Sequence, residues 1–224
     1  MKFRTANVIG FLLVVAAFAI AFWFYPRLPN PVPTHWNAAG QIDGYMPKPW
    51  GVFILPLFIM ATWVVLAAVP RISPKGYSLD TFAKIYGLLQ ITFLAVLLVI
   101  NIIALSAAIN RHVAINAIIP IVLGLLFVVV GNYMGKLRKN FFVGIRTPWT
   151  LASDEVWART HRLGGWIFVA GGLAIVIASV LTPSAYSPII LISILAVMVL
   201  IPVAASYVIY RRLEGSGSNN DQDD

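Results

Sequence analysis

Six stretches of the chain run 18 to 25 residues without a charged side chain: Val8–Tyr25, Trp50–Val69, Ile85–Ile109, Val113–Tyr133, Leu163–Leu181 and Tyr186–Tyr210. A helix that crosses the hydrocarbon core of a bilayer needs about 17–25 residues. In lipid every backbone N–H and C=O must be paired inside the protein, and a helix does this within one segment. A membrane barrel would instead show strands of ~10 residues with polar alternate positions, and none of the six runs alternates in that way. The pattern predicts an all-α polytopic membrane protein, a six-transmembrane-helix bundle. The first run follows Lys2 and Arg4, as a signal peptide would. Its length, its FWFY end and the absence of a small-residue cleavage site before Pro26 favour an uncleaved span.

The polar segments between the runs set the orientation. With six spans both termini share a side, together with the loops 70–84 and 134–162. That side holds 13 of the 16 Lys and Arg, leaving Arg27, Lys48 and Arg111 for the other. The excess of basic residues predicts that both termini are cytoplasmic. The chain then divides into an N-terminal two-helix unit (1–69) with an extracellular loop, a four-helix region (70–214) with its large cytoplasmic loop, and a polar tail (215–224) expected to be disordered.

Composition narrows the function classes. Hydrophobic residues make up 60% of the 224 and charged residues 11%, far from the ~25% charged of soluble domains. With no Cys, a disulfide framework, a thiol nucleophile and a cysteine metal site are excluded. The net charge of +8 faces anionic lipid headgroups. No nucleic-acid reading module is present, so direct nucleic-acid binding is not expected. No cofactor motif is found, and the patterns HExxH, GxSxG and the P-loop do not occur.

Candidate chemistry lies in three places. In the outer loop, Pro29, Pro31 and Pro33 stiffen an arm leading to Thr34, His35, Trp36 and Asn37. Asn37 through Gly40 and Asp43-Gly44 read as turns. His35 and Asp43 are spaced to form a hydrogen-bonded pair. With only His112 left on that side they are too few for a metal site. The loop is either a compact cap resting on Trp36, Tyr45 and Trp50 or a recognition surface for something arriving from outside.

In the inner loop, Lys136, Arg138 and Lys139 follow the fourth span at headgroup depth. Thr147-Pro148 stops any preceding helix, and Thr150 or Ser153 can cap a new one with Asp154 and Glu155 in its first turn. Val156, Trp157, Thr160 and His161 would share one face, which suits a helix lying on the membrane. Arg146, Asp154, Glu155, Arg159, His161 and Arg162 form the densest ionisable cluster. That cluster is a salt-bridged surface loop, a docking surface, or an acid–base site pairing His161 with Glu155 or Asp154. Within the spans no Asp or Glu occurs. Gln90 and Asn101, eleven residues apart on one helix face, either bond between helices or line a polar path for a small-molecule transporter or transport regulator.

Two segments carry a family resemblance. The outer PVPTHWNAAGQIDGYMPK resembles a small domain of unknown function with the pattern P-x-H-W-N-x-x-G-x-x-D-G-Y. The inner GNYMGKLRKNFFVGIRTPWTLASDEVWARTHRLGGW resembles the signature of the SdpI family of bacterial membrane proteins. Lys139 stands where some members have proline. The resemblance implies a non-enzymatic, multi-pass cell-membrane protein conferring immunity to a secreted, membrane-active peptide toxin. It also implies signalling, by holding a transcriptional repressor at the membrane. On that reading His35, Trp36, Asn37, Gly40, Asp43, Gly44 and Tyr45 would meet the peptide outside. Asn132, Lys136, Arg138, Arg146, Thr147, Pro148, Trp149, Asp154, Glu155, Trp157, His161 and Arg162 would form the surface for a cytoplasmic partner. Membrane lipids are the remaining expected partner.

Overall fold

The computed structural model describes residues 3–110, 113–182 and 187–220, with the side chains of 187 and 215–220 left aside. The helices are α1 (Phe3–Phe24), α2 (Lys48–Ile72), α3 (Ala83–Ile109), α4 (Ile115–Met134), a single short turn α5 (Pro148–Ala152), α6 (Asp154–Leu181) and α7 (Ser187–Asn220). Six of them are long and apolar enough to cross a membrane. Large apolar side chains such as Phe22, Trp166, Leu181 and Ile192 project outward from the bundle, as they do where the solvent is lipid. Pro56, Pro120 and Pro202 lie inside continuous helices. His112 and Arg111 lie outside the described residues.

By packing, the chain forms two groups. Helix α3 sits against α1 and α2, and α4, α6 and α7 pack together, with α3 meeting α4 between them. The closest helix pair is α4 with α6, and glycines make it possible. A Cβ on Gly124 would lie 2.7 Å from the Gly172 carbonyl oxygen, and one on Gly131 would lie 2.6 Å from that of Gly165. Two backbones touch directly there, with no side chain between them.

Two expectations from the sequence are corrected. The outer loop is not wholly irregular: Val32–Trp36 (β1) and Ile42–Met46 (β2) pair as an antiparallel hairpin. Alternating β-branched and aromatic residues favour this, and Asn37 supplies the turn. Asp43-Gly44 is therefore strand, not turn. The segment expected to lie on the membrane is instead the first part of α6. Val156, Trp157, Thr160 and His161 are all buried within the protein, because that face meets the folded inner loop. Helix α7 is described to Asn220. Residues 221–224 lie outside the described residues.

A core at the termini end unites the two groups. Val69, Leu79, Phe82 and Tyr86 from the first pack with Met134, Leu137 and Trp157 from the second. The hairpin marks the opposite end. Val32 and Leu28 pack with Ala21, Val52, Leu105 and Ala108, so the hairpin base is seated on α1, α2 and α3.

Candidate functional site

The two motifs occupy opposite ends of the bundle and are built differently. In the hairpin the turn is made by Asn37. Its side-chain oxygen accepts from Ala39 N–H and Gln41 N–H, each at 3.0 Å, and its own N–H donates to Gln41 O at 2.9 Å. Gly40 takes the positive φ (79°) that closes the turn, and it lies against Asn116 at the start of α4. Asn37 and Gly40 thus shape the hairpin. What the hairpin presents is the cross-strand pair His35 Nδ1 and Asp43 Oδ1, 2.5 Å apart and both exposed, with Tyr45. Trp36 and Gly44 are half-buried. At the base, Lys48 Nζ donates to Leu28 O (2.8 Å) and lies over the Tyr25 ring, while Arg27 lies over Trp23.

The inner loop is a folded unit. Asn140, fully buried, uses all of its amide: Nδ2 donates to Arg138 O and Val143 O, and Oδ1 accepts from Phe142 N–H and Val143 N–H, at 2.7–2.9 Å. This wraps 138–143 around one side chain. Gly144 follows with φ 114°, and a Cβ there would sit 2.3 Å from His161 Nε2. The glycine lets the backbone pass over the imidazole, so the Ile145 N–H can donate to His161 Nε2 at 2.9 Å. The other ring nitrogen, Nδ1, therefore carries the proton and donates to Trp157 O at 2.8 Å. Both nitrogens are committed and the ring stacks on Trp157 at 4.0 Å. Trp157 Nε1 in turn donates to Leu137 O.

The chain then enters α5 through a capping box. Thr147 Oγ1 accepts from Thr150 N–H and Thr150 Oγ1 accepts from Thr147 N–H, with Pro148 at the first helical position. Ser153, not Thr150, caps α6. Thr147 Oγ1 also meets Ser206 Oγ of α7 at 3.0 Å, and Trp149 packs on Tyr207. On the other side Phe141 meets Tyr77. The loop thereby ties α4, α6, α7 and the α2–α3 connection together.

This geometry redistributes the residues expected to form a partner surface. Thr147, Trp157 and His161 are buried and hold the loop. Asn132, Lys136, Arg138, Arg146, Pro148, Asp154, Glu155 and Arg162 are exposed, and Trp149 is half-buried. The proposed pairing of His161 with Glu155 or Asp154 does not form. Glu155 binds Arg159 one helical turn away, and Asp154 binds Lys139 at 2.6 Å. Positions 155 and 161 are six apart on one helix and face different ways. Gln90 Nε2 donates to Asn7 Oδ1 at 3.0 Å, and Asn101 is fully buried without a hydrogen-bond partner among the described residues.

Sequence reasoning missed Asn140, Ser206 and Asn7 in these roles, and it read Thr150 as a cap for the following helix, not as the partner of Thr147. Of the three, only Asn140 carried a local signal, an Asn directly before an apolar run, where an Asx turn forms. Ser206 and Asn7 are defined by partners on distant elements.

Comparison with known proteins agrees with this division into two motifs. The SdpI/YfhL protein family matches residues 136–208, and a domain of unknown function, DUF1648, matches residues 12–60. Immunity protein SdpI of Bacillus subtilis (strain 168) is 26% identical over 210 residues, which covers 94% of this chain and 98% of that protein. No solved structure matches the chain. The six apolar spans and the similarity over nearly the whole of both chains make this a multi-pass cell-membrane protein, with its inner loop and last two spans similar to the SdpI/YfhL protein family.

Proposed function

We propose that the protein is a non-enzymatic immunity protein that protects the cell making it from a secreted, membrane-active peptide. The observation that carries this reading is the end-to-end similarity to Immunity protein SdpI, 94% of one chain against 98% of the other. The 13-to-3 distribution of Lys and Arg supports placing the hairpin outside the cell and the 134–162 loop inside. An amphipathic peptide approaching the bilayer would meet His35, Asp43 and Tyr45 first. It would meet the exposed rings of Trp50 and Trp23 lower down, where an apolar face can be buried. Inside, Lys136, Arg138, Arg146 and Arg162 present a basic face, which suits a repressor with an acidic patch. A non-enzymatic role is supported by His161, whose two nitrogens are both used in holding the loop.

The test is survival. Cells sensitive to secreted membrane-active peptides, made to express this protein, are challenged with a panel of them. Protection against one peptide is expected, and it should be lost in the double variant His35→Ala/Tyr45→Ala at unchanged membrane abundance. Unchanged killing across the whole panel would contradict the immunity reading. The repressor role is read separately, by whether a cytoplasmic regulator moves to the membrane fraction on exposure to the peptide.

A further inference from the structure

The termini end of the bundle holds a cleft that neither motif uses. It opens between the start of α1 and the end of α2 and encloses about 660 Å³. Arg4 and Arg71 stand at its mouth, and its inner walls are Val8, Phe11 and Trp63. The helices are antiparallel, so these residues form a gradient of depth. Arg4 to Phe11 is seven residues and Trp63 to Arg71 is eight, roughly 10–12 Å along the helix axes. A charged mouth thus leads within about half a leaflet into an aromatic interior that opens sideways to lipid, since Val8 and Phe11 are both about half exposed.

The cleft is held in shape. Trp63 Nε1 donates to Asn7 O at 3.0 Å, and Asn7 Oδ1 accepts from Gln90 Nε2, which locks α1 to α2 and α3 at the cleft floor. The Trp63 ring packs over Gly10 and 5.6 Å from Phe11. Neither guanidinium forms an ion pair among the described residues. The one carboxylate lining the cleft, Asp80, is engaged by Ser78 Oγ at 2.6 Å. Arg71 donates one N–H to Ala67 O at 2.8 Å, which leaves the rest of its guanidinium fork for a ligand. Two cations without an ion-pair partner among the described residues, at headgroup depth above an apolar slot, are complementary to one molecule: a phospholipid with a net-negative headgroup, its phosphate between the guanidinium groups and an acyl chain along Phe11 and Trp63.

We propose that this cleft is a binding site for a single anionic phospholipid of the leaflet on the termini side. The proposal stands apart from the immunity reading.

The test is native mass spectrometry of the purified full-length protein, with phosphatidylglycerol or phosphatidylcholine of equal chain length added in the detergent. One phosphatidylglycerol should be retained per chain, in clear preference to phosphatidylcholine. Arg4→Gln/Arg71→Gln should cut retention, by roughly fivefold per guanidinium on the usual energy of a basic residue at an anionic surface. Val8→Trp, which fills the slot but keeps both cations, should cut it as well. Lys136→Gln/Arg162→Gln, a basic pair elsewhere at the same end, should leave it unchanged. Equal retention of the two lipids would overturn the proposal. So would retention in the Arg4/Arg71 variant equal to that in the Lys136/Arg162 variant, with all proteins monodisperse and equally helical.

Discussion

The hairpin and the inner loop are of similar length and similarly rich in recognisable motif residues, yet they use them in opposite ways. In the hairpin, Asn37 and Gly40 form the turn so that His35, Asp43 and Tyr45 can project into solvent. In the inner loop the conspicuous polar residues turn inward. Asn140, Thr147, Thr150 and His161 satisfy backbone groups that the irregular chain would otherwise bury unpaired. A dense motif therefore has two meanings: at one end it describes a surface, at the other it describes how a loop with little regular structure keeps its shape. The lesson for His161 is direct. A lone histidine near two acids resembles a catalytic group, but here it replaces a missing backbone acceptor.

Substitutions should separate the two ends by the size of their effect on stability. Largest is Gly144→Ala, which places a methyl group into the His161 ring at a positive φ. A loss of about 2–4 kcal/mol is expected from strain and overpacking. His161→Ala should cost a comparable amount, since it orphans the Ile145 N–H and empties the space beneath Trp157. Thermal melts of the protein in detergent would show both as the steepest drops in the series. A wild-type melting temperature for either would mean the loop is not built around this ring.

Asn140→Ala removes four hydrogen bonds from one buried side chain. A cost of about 2–3 kcal/mol follows from net values near 1 kcal/mol each, reduced by local relaxation. The same melts should place it just below the first pair. Thr147→Val deletes the capping box and the contact to Ser206, and about 1 kcal/mol is expected. Smallest is Asp43→Asn in the hairpin. Its partner His35 is exposed, so stability should move by less than about 0.5 kcal/mol. Protection in the survival assay should nevertheless fall, whereas Glu155→Gln, at an equally exposed ion pair of the inner loop, should move neither.

Much of the fold was legible because lipid imposes one simple rule. Uncharged runs of sufficient length become helices, and all six did, with bounds moved mainly by polar residues that extend a helix beyond its apolar run, as Asp154–Arg162 extends α6. The hairpin was harder to read. Its strands are five residues each, and a glycine in β2 looked like a turn until its cross-strand partner His35 was known. Hardest was the burial of the inner loop. Trp157 and His161 share a helix face in either reading, and sequence spacing cannot say whether lipid or protein covers that face. The answer depends on Leu137, Gly144 and Ile145, which reach α6 through a turn set by one asparagine. Thr147 looked equally like surface, and only its contact with Ser206, 59 positions away, reveals otherwise.

The account depends most on the two ends facing opposite sides of the membrane with the hairpin outside. The chain has no cysteine, so single cysteines report without background. Asp43→Cys and Arg146→Cys, both at exposed positions, would be treated in intact cells with a membrane-impermeant thiol reagent, and again after permeabilisation. The account predicts that position 43 reacts in intact cells and position 146 only once the membrane is opened. Reaction at 146 with silence at 43 in intact cells would contradict it.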